Sequence, residues 1–511
     1  MYVVLRKQRP NFTRGVIPLY GSVLLKPHHV LCYGWTKEFF EAFSSLKYSG
    51  IELPLTLLRH YHKYIAPLVD RNLSNQPLIS QLQKKHGLYS FRDVQKALER
   101  RPTVRLDLSR DSKRNMLAVH TRQAQFLPFV LDRFPNADVL VILWSSREEV
   151  FLPDRELPRS YRVFKVLDEV SKAHPDPRAI LTVMTKADLL LQKHTKHMVF
   201  GQPVFKVWLR KLLLVSIKMV HVMTRMFLEN PIKVILSNGE IANPGLTLSL
   251  LAAQYNLPFV NALTSLITDR NLIPTRAAYY CVWGEYYRAW LEKRGIEASK
   301  IILTGNLRFE YDRHPSSFSR QSIQSLLNYP ENNLVFMYTT QPFSDKVKRA
   351  VTQWINQAVT DHPVTVLIKP HPYDKFDYGP FTKTGRIVIV PESLKLYDLL
   401  PNIDFIMTIS SDTAIEAALL QKGIIVLQPE LPYHFDLNNN DFHSFLTRCQ
   451  AGFVASSPKS LRNILADLCR SEEMRNNLHA MGQKFLNNTI RNGTLSTPSK
   501  DMYQFIKTIL N

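Results

Sequence analysis

From Met116 onward the chain alternates short apolar runs, rich in β-branched residues, with longer stretches whose apolar positions recur at helical spacing. MLAVH from Met116, VLVILW from Val139, KVIL from Lys233, LPFVNA from Leu257, AYYCVW from Ala278 and KIILT from Lys300 read as strands. Between them, helices are predicted over Gln123 to Arg133, after Asn243-Pro244 and from Glu285. LVFMY from Leu334, TVLI, IVIV, DFIMTI and IIVLQ supply the strands of a second half, and a closing helix is predicted over Lys500 to Leu510. Strands alternating with helices imply parallel sheets joined by right-handed crossovers. Upstream, helical-looking segments lie at Glu38 to Leu46 and Leu78 to Arg100 and fit no known module. This gives a helical extension over 1–112, a first α/β domain over 113–313, a serine-rich linker over 314–331, a second α/β domain over 332–495 and a closing helix over 496–511.

The stretch from Val364 to Gln428 carries the candidate chemistry. The run VTVLI ends in Lys369-Pro370-His371-Pro372, so charge appears only where the strand stops. DFIMTI ends in Ser410-Ser411-Asp412-Thr413 and opens the helical pattern AIEAALLQ, with Gly423 placed to stop that helix before IIVLQ. Ligands of open α/β sheets sit beyond the carboxyl ends of the strands, where a helix N-terminus offers N–H groups to anionic oxygens. A phosphate-bearing ligand follows. Thr413 and Glu416 also have the spacing of a capping box, and the two prolines around His371 fix a rigid turn. Each motif alone has an ordinary structural use; both together at strand ends point to a nucleotide pocket.

IKPHP, the SSDT segment and the upstream series VWGEYYRAWLEKRGI, KIILTGNLRFE and VFMYTTQPF resemble bacterial surface-carbohydrate glycosyltransferases of the two-Rossmann GT-B class, of the capsule and sialic-acid type. The resemblance runs from about Met116 to the C-terminus. It implies an α/β fold with two Rossmann-like domains, the second binding a nucleotide-activated sugar through His371 and Pro372 near the base and ribose, with Lys369 beside them, and through Ser410, Ser411 and Thr413 at the phosphate. Where many relatives have a glutamine-histidine-glycine turn after the strand LPFVNA, this chain has Leu263-Thr264-Ser265.

Seen this way, Thr339, Thr340 and Gln341 are secondary donor contacts, Glu416 is counted with the donor-binding set, and Gly305 with Asn306 line the cleft or form an ordinary glycine turn. An inverting transfer also needs a general base from the first domain. Glu240 is favoured over His120, although the first could cap a helix and the second be a core histidine. No cofactor and no metal are expected, because no DxD motif stands at a strand end; Asp374 and Asp377 lack that context. The expected donor is a CMP-, UDP- or similar nucleotide sugar, and the acceptor an acidic or lipid-linked glycan of capsule or lipopolysaccharide. A CDP-polyol phosphotransferase, a non-catalytic binder on the same fold and an epimerase acting on free UDP-sugar are the alternatives.

Composition narrows the setting. The 511 residues suffice for two large cores, and four scattered cysteines with no CxxC pair indicate neither a disulfide framework nor a zinc site, which points to a reducing cytoplasm. Neither a signal-peptide h-region nor a membrane-spanning run is visible. The net charge is +22, and residues 1–110 carry 18 Lys and Arg against 7 Asp and Glu, half of the excess. An anionic partner is implied. Nucleic acid is not expected, since no ribonucleoprotein signature or zinc-finger spacing occurs, which leaves an acidic glycan or peripheral contact with an anionic inner membrane face. One long predicted helix sets Lys206, Arg210, Lys211, Lys218, His221 and Arg225 within a single arc of about 140°, while Trp208, Leu212, Met219 and Met226 fill much of the rest. It reads as a Rossmann helix with one wet side, and a membrane-surface role is the alternative.

Overall fold

The apolar runs form strands that are buried on both faces, as parallel strands covered by helices must be. In one sheet β1 (Met116–His120), β2 (Val139–Leu143), β3 (Tyr161–Lys165), β4 (Ile232–Ser237), β5 (Phe259–Ala262), β6 (Tyr279–Val282) and β7 (Ile301–Leu303) lie in the order β3-β2-β1-β4-β5-β6-β7. In the other, β8 (Leu334–Thr339), β9 (Val364–Lys369), β10 (Ile387–Ile389), β11 (Phe405–Thr408), β12 (Gly423–Leu427) and β13 (Phe453–Ala455) follow β10-β9-β8-β11-β12-β13. Every pairing in both sheets is parallel. Counted within its own sheet, each begins 3-2-1-4-5-6, the doubly wound Rossmann order. The fold is therefore α/β with two Rossmann-like domains and a mostly helical N-terminal extension, as expected. Strand order reverses between β1 and β4 in one sheet and between β8 and β11 in the other, which opens a crevice at the strands' carboxyl ends.

This computed structural model describes residues 20–120, 125–153, 156–313, 316–433, 443–490 and 497–511. The seven-stranded unit comprises Val23–Trp283, Tyr287–Tyr311 and Thr497–Asn511, so it takes in the described extension and the C-terminal helix. The six-stranded unit takes the described residues of 1–22, 284–286 and 312–496. In the first, alternate residues Leu117, Val119, Val141, Leu143, Val234 and Leu236 share a core with Phe129, Val130, and Met502 and Ile506 of the C-terminal helix. In the second, Phe336, Tyr338, Val366, Ile368, Met407 and Ile425 pack on Val347, Val351 and Ile355 of the helix Asp345–Val359.

Several elements differ from the sequence pattern. β3 was not predicted: YRVFK carries two charges, and the strand is an exposed sheet edge that needs no apolar run. The segment Leu78 to Arg100 is two helices, Gln76–His86 and Phe91–Leu98, because Gly87 takes a left-handed φ of 65° and Ser90 starts a new capping box with Asp93. The linker stretch contains the helix Arg320–Leu327, whose first turn is capped by Ser319 and tied through Arg320 to Asp404. Of the helix predicted from Gln123, residues 121–124 lie outside the described residues and the observed part is Leu127–Arg133. Gly423 does not end the preceding helix. Gln421 takes the left-handed conformation at φ 58°, while Gly423 starts β12 where a Cβ would stand 2.8 Å from Leu478 and 2.9 Å from Phe405.

Candidate functional site

At the switch point of the six-stranded sheet the motifs predicted separately are joined by hydrogen bonds. The Thr339 hydroxyl, at the end of β8, lies 2.8 Å from the Thr413 hydroxyl. Gln341 clamps Ser410 at two points: its Oε1 accepts from Ser410 N at 2.9 Å and its Nε2 donates to Ser410 Oγ at 3.2 Å. Thr340 Oγ1 accepts from His371 N at 2.9 Å and donates to Asp374 Oδ2 at 2.6 Å. The loops after β8, β9 and β11 thus form one network, although 74 residues separate Thr339 from Thr413.

His371 is half-buried, and burial pulls its pKa below the ordinary histidine value in spite of the nearby Asp374 carboxylate. Its Nδ1 accepts from Tyr373 N at 3.1 Å, so the neutral ring carries its proton on Nε2 and is a donor there. Pro372 is exposed. Asp374, whose side chain is fully buried, holds the turn. Oδ1 accepts from Lys348 Nζ at 2.9 Å and Phe376 N at 3.0 Å, and Oδ2 accepts from Thr340 and from the Tyr378 hydroxyl at 2.7 Å. Burial alone would raise its pKa, but the bonds from Thr340, Tyr378, Lys348 and Phe376 outweigh that and hold it below the ordinary aspartate range.

Other predicted residues have different surroundings. Lys369 Nζ donates to the carbonyls of Leu394 at 2.6 Å and Pro391 at 3.4 Å, and burial lowers its pKa, so its ammonium secures the segment after β10. The capping box is not formed. Asp412 is the N-cap of the helix Thr413–Leu419, Thr413 is turned to Thr339, and Glu416, buried, accepts from the Tyr397 hydroxyl at 3.3 Å. Ser411 Oγ accepts from Thr413 N at 3.3 Å and is half-buried.

Sequence reasoning missed His443. It is buried, its Nδ1 is hydrogen-bonded to Ser410 Oγ, its ring meets Phe343 edge-on at 4.9 Å, and burial pulls its pKa down to about 4. Nothing local in the sequence marks it, since 33 residues separate it from Ser410. Asp374 was legible in principle as the fourth residue of the turn His371-Pro372-Tyr373-Asp374, where Asp N bonds back to His371 O at 2.7 Å.

The seven-stranded unit has its own switch-point pair. His120 at the end of β1 stands opposite Ser237 at the end of β4, with Nδ1 3.0 Å from Ser237 Oγ. Ser237 Oγ in turn donates to Gly239 O at 3.3 Å, which leaves the hydroxyl oxygen to accept Nδ1–H and puts the lone pair of the imidazole on Nε2. Glu240, the favoured base, is fully buried. Its oxygens accept from Asn261 Nδ2 at 3.3 Å, from the Thr275 hydroxyl and from Arg276 N at 3.0 Å, and it caps no helix. That carboxylate ties the loop after β4 to Thr275 and Arg276. Gly305 takes φ 82° with its N–H on Val282 O, and Asn306 is buried with Oδ1 accepting from Arg308 N at 3.1 Å, so the pair is a tight turn into the helix Leu307–Tyr311. In the divergent turn, Thr264 Oγ1 accepts from Asn238 at 3.1 Å and Leu263 O accepts from Trp283 Nε1 at 2.7 Å.

No family model and no curated protein matches the chain. Among solved structures it is similar to the wall teichoic acid polymerase TagF, at 11% identity over 90% of this chain and 98% of that one, TM-score 0.44. It is also similar to Anabaena HepE in complex with UDP-glucose, at 12% identity over 77% and 99%, TM-score 0.45. A putative UDP-N-acetylglucosamine 2-epimerase from Listeria monocytogenes gives 11% identity over 78% and 96%, TM-score 0.48. Likeness at this level says nothing of substrate, and the chain's own strand order carries the fold.

Proposed function

We propose that the protein is a glycosyltransferase that moves a sugar from a nucleotide-activated donor to a cell-surface glycan, by inversion and without a metal. The observation that carries this reading is the hydrogen-bonded union of Thr339 to Gln341, His371 and Ser410 to Thr413 at the switch point of the six-stranded sheet. It is a set of neutral donors, in which the His371 imidazole offers Nε2–H and the Ser411 and Thr413 hydroxyls offer protons. Such donors suit a phosphate whose charge grows as the bond from the anomeric carbon to the phosphate oxygen breaks, so they help the transition state more than the ground state. Lys369 and Glu416 act here as supports of the loops, and Ser410 is held in place by Gln341 and His443.

In the seven-stranded domain we assign acceptor activation to His120. As the acceptor oxygen bonds to the anomeric carbon, its proton passes to Nε2, while Ser237 holds Nδ1–H and keeps the tautomer. Glu240, enclosed and fully engaged, is a structural residue in this reading.

A thermal-shift panel of CMP, CDP, UDP, GDP and ADP tests the pocket, because a ligand that binds only the native state raises apparent stability. One nucleotide is expected to raise the Tm of wild type and to lose its effect in His371→Ala and in Ser410→Ala/Ser411→Ala. A panel without any shift rejects the donor site. With the nucleotide known, the phosphorus content of the product separates sugar transfer from polyol-phosphate transfer.

A further inference from the structure

Between β3 and β4 the chain makes a helical hairpin whose inner and outer faces are both apolar. Its helices are Pro177–Lys193 and Pro203–Glu229, and Asp188 near the end of the first pairs with Lys206 and Arg210 near the start of the second. The inner face is already used. Phe205 and Trp208 pack on the extension, with Tyr64 5.5 Å from Phe205 and 4.9 Å from Trp208, and Leu209 and Leu213 are fully buried. A surface helix needs only one such stripe.

The outer face carries a second. Val204 is 68% exposed, Val207 70%, Leu214 39% and Val215 44%, while the first helix adds Leu189 at 61% and the connecting turn Met198 at 46%. Of the 19 large apolar residues exposed among the described residues, eight fall between Leu181 and Leu228. Val204, Val207, Lys211, Leu214 and Lys218 follow one another at three- and four-residue steps along about 21 Å of helix, so apolar and lysine side chains share one line. Residues 177–229 contain nine Lys and Arg against two Asp and Glu. Both acids are engaged, Asp188 as above and Glu229 with Arg225 at 3.0 Å, whereas Lys186, Lys193, Lys196, Lys211 and Lys218 have no ion pair among the described residues.

We propose that this outer stripe docks the protein on an anionic lipid surface. The valine and leucine side chains enter the boundary between headgroups and acyl chains, and the lysines reach the phosphates along their own methylene stems. A bilayer surface fits this face better than a second copy of the chain, which would set Lys211 and Lys218 against the same charges. No helix among the described residues is long and apolar enough to cross a membrane, so the contact is one of lying on the surface. The inference is independent of the donor pocket, which belongs to the other unit.

The test is co-sedimentation of the full-length protein with vesicles of phosphatidylglycerol and phosphatidylcholine, against vesicles of phosphatidylcholine alone. Wild type should partition at least tenfold more strongly onto the anionic vesicles. Val204→Glu/Val207→Glu and, separately, Lys211→Glu/Lys218→Glu should each reduce that partition tenfold or more with unchanged circular dichroism and Tm, since all four side chains lie on the outer face. Part of the wild-type binding should survive about 1 M salt, where charge alone is screened within ~3 Å. Equal sedimentation of wild type and both variants, or none by wild type, overturns the proposal. So does a dimer in sedimentation equilibrium that Val204→Glu/Val207→Glu dissolves, which would give the stripe to a second copy.

Discussion

Replacing Asp374 by asparagine probes the part of the candidate site that the structure defines best. The buried carboxylate accepts four bonds, two on each oxygen, from Lys348, Phe376 N, Thr340 and Tyr378. An asparagine keeps one oxygen and turns an NH2 group, which cannot accept, towards the other pair. Bonds to a charged group contribute about 1.5–3 kcal/mol each, and the Thr340 and Tyr378 hydroxyls can rotate to other acceptors, so the net loss is about 3 kcal/mol. For a domain of this size that corresponds to a fall of ~6–12 °C in the transition of the six-stranded unit, read by scanning calorimetry. The pH dependence follows from the depressed pKa of Asp374: its contribution is present above the unfolded aspartate value and is lost as pH falls through the lower folded value. The variant should therefore lack that share of the acid-limb loss. A fall of less than ~2 °C, with a wild-type acid limb, would refute the view of Asp374 as the buried anchor of the His371 turn.

Four further outcomes are expected. His120→Ala should lower kcat/KM by about 10²–10⁴ with nucleotide affinity unchanged, and Ser237→Ala should act in the same direction but more weakly, in a transfer assay. Glu240→Gln should instead cost about 1–3 kcal/mol of stability by leaving Thr275 or Arg276 N unpaired, while the pH profile of kcat/KM stays as in wild type; a lost acid limb there would return the base to Glu240. His443, held neutral by burial, keeps its full contribution above the unfolded histidine pKa and loses it as pH falls from about 6.5 to about 4, roughly 3 kcal/mol that His443→Gln should remove from a urea titration series. Exhaustive chelation with EDTA should leave transfer activity unchanged, and a loss restored by a divalent cation would refute the metal-free reading.

The linear pattern determined the architecture because parallel strands buried on both faces must be nearly continuous apolar runs, and such runs are visible one at a time. β8, β9, β11 and β12 were legible for that reason, and so was the coincidence of His371 and Ser410 with strand ends. β3 was not, because an exposed edge strand tolerates Arg162 and Lys165. Tertiary structure alone decided which protein groups the predicted residues meet. Lys369 is turned to two carbonyls, Glu416 to Tyr397 and Glu240 to Thr275 and Arg276, since a buried polar group bonds to whatever the fold brings near it, and sequence spacing carries no record of that neighbour. The same holds for His443 beside Ser410, and for a long amphipathic helix whose pattern gave its inner face but whose second apolar stripe became visible only once the extension had covered the first.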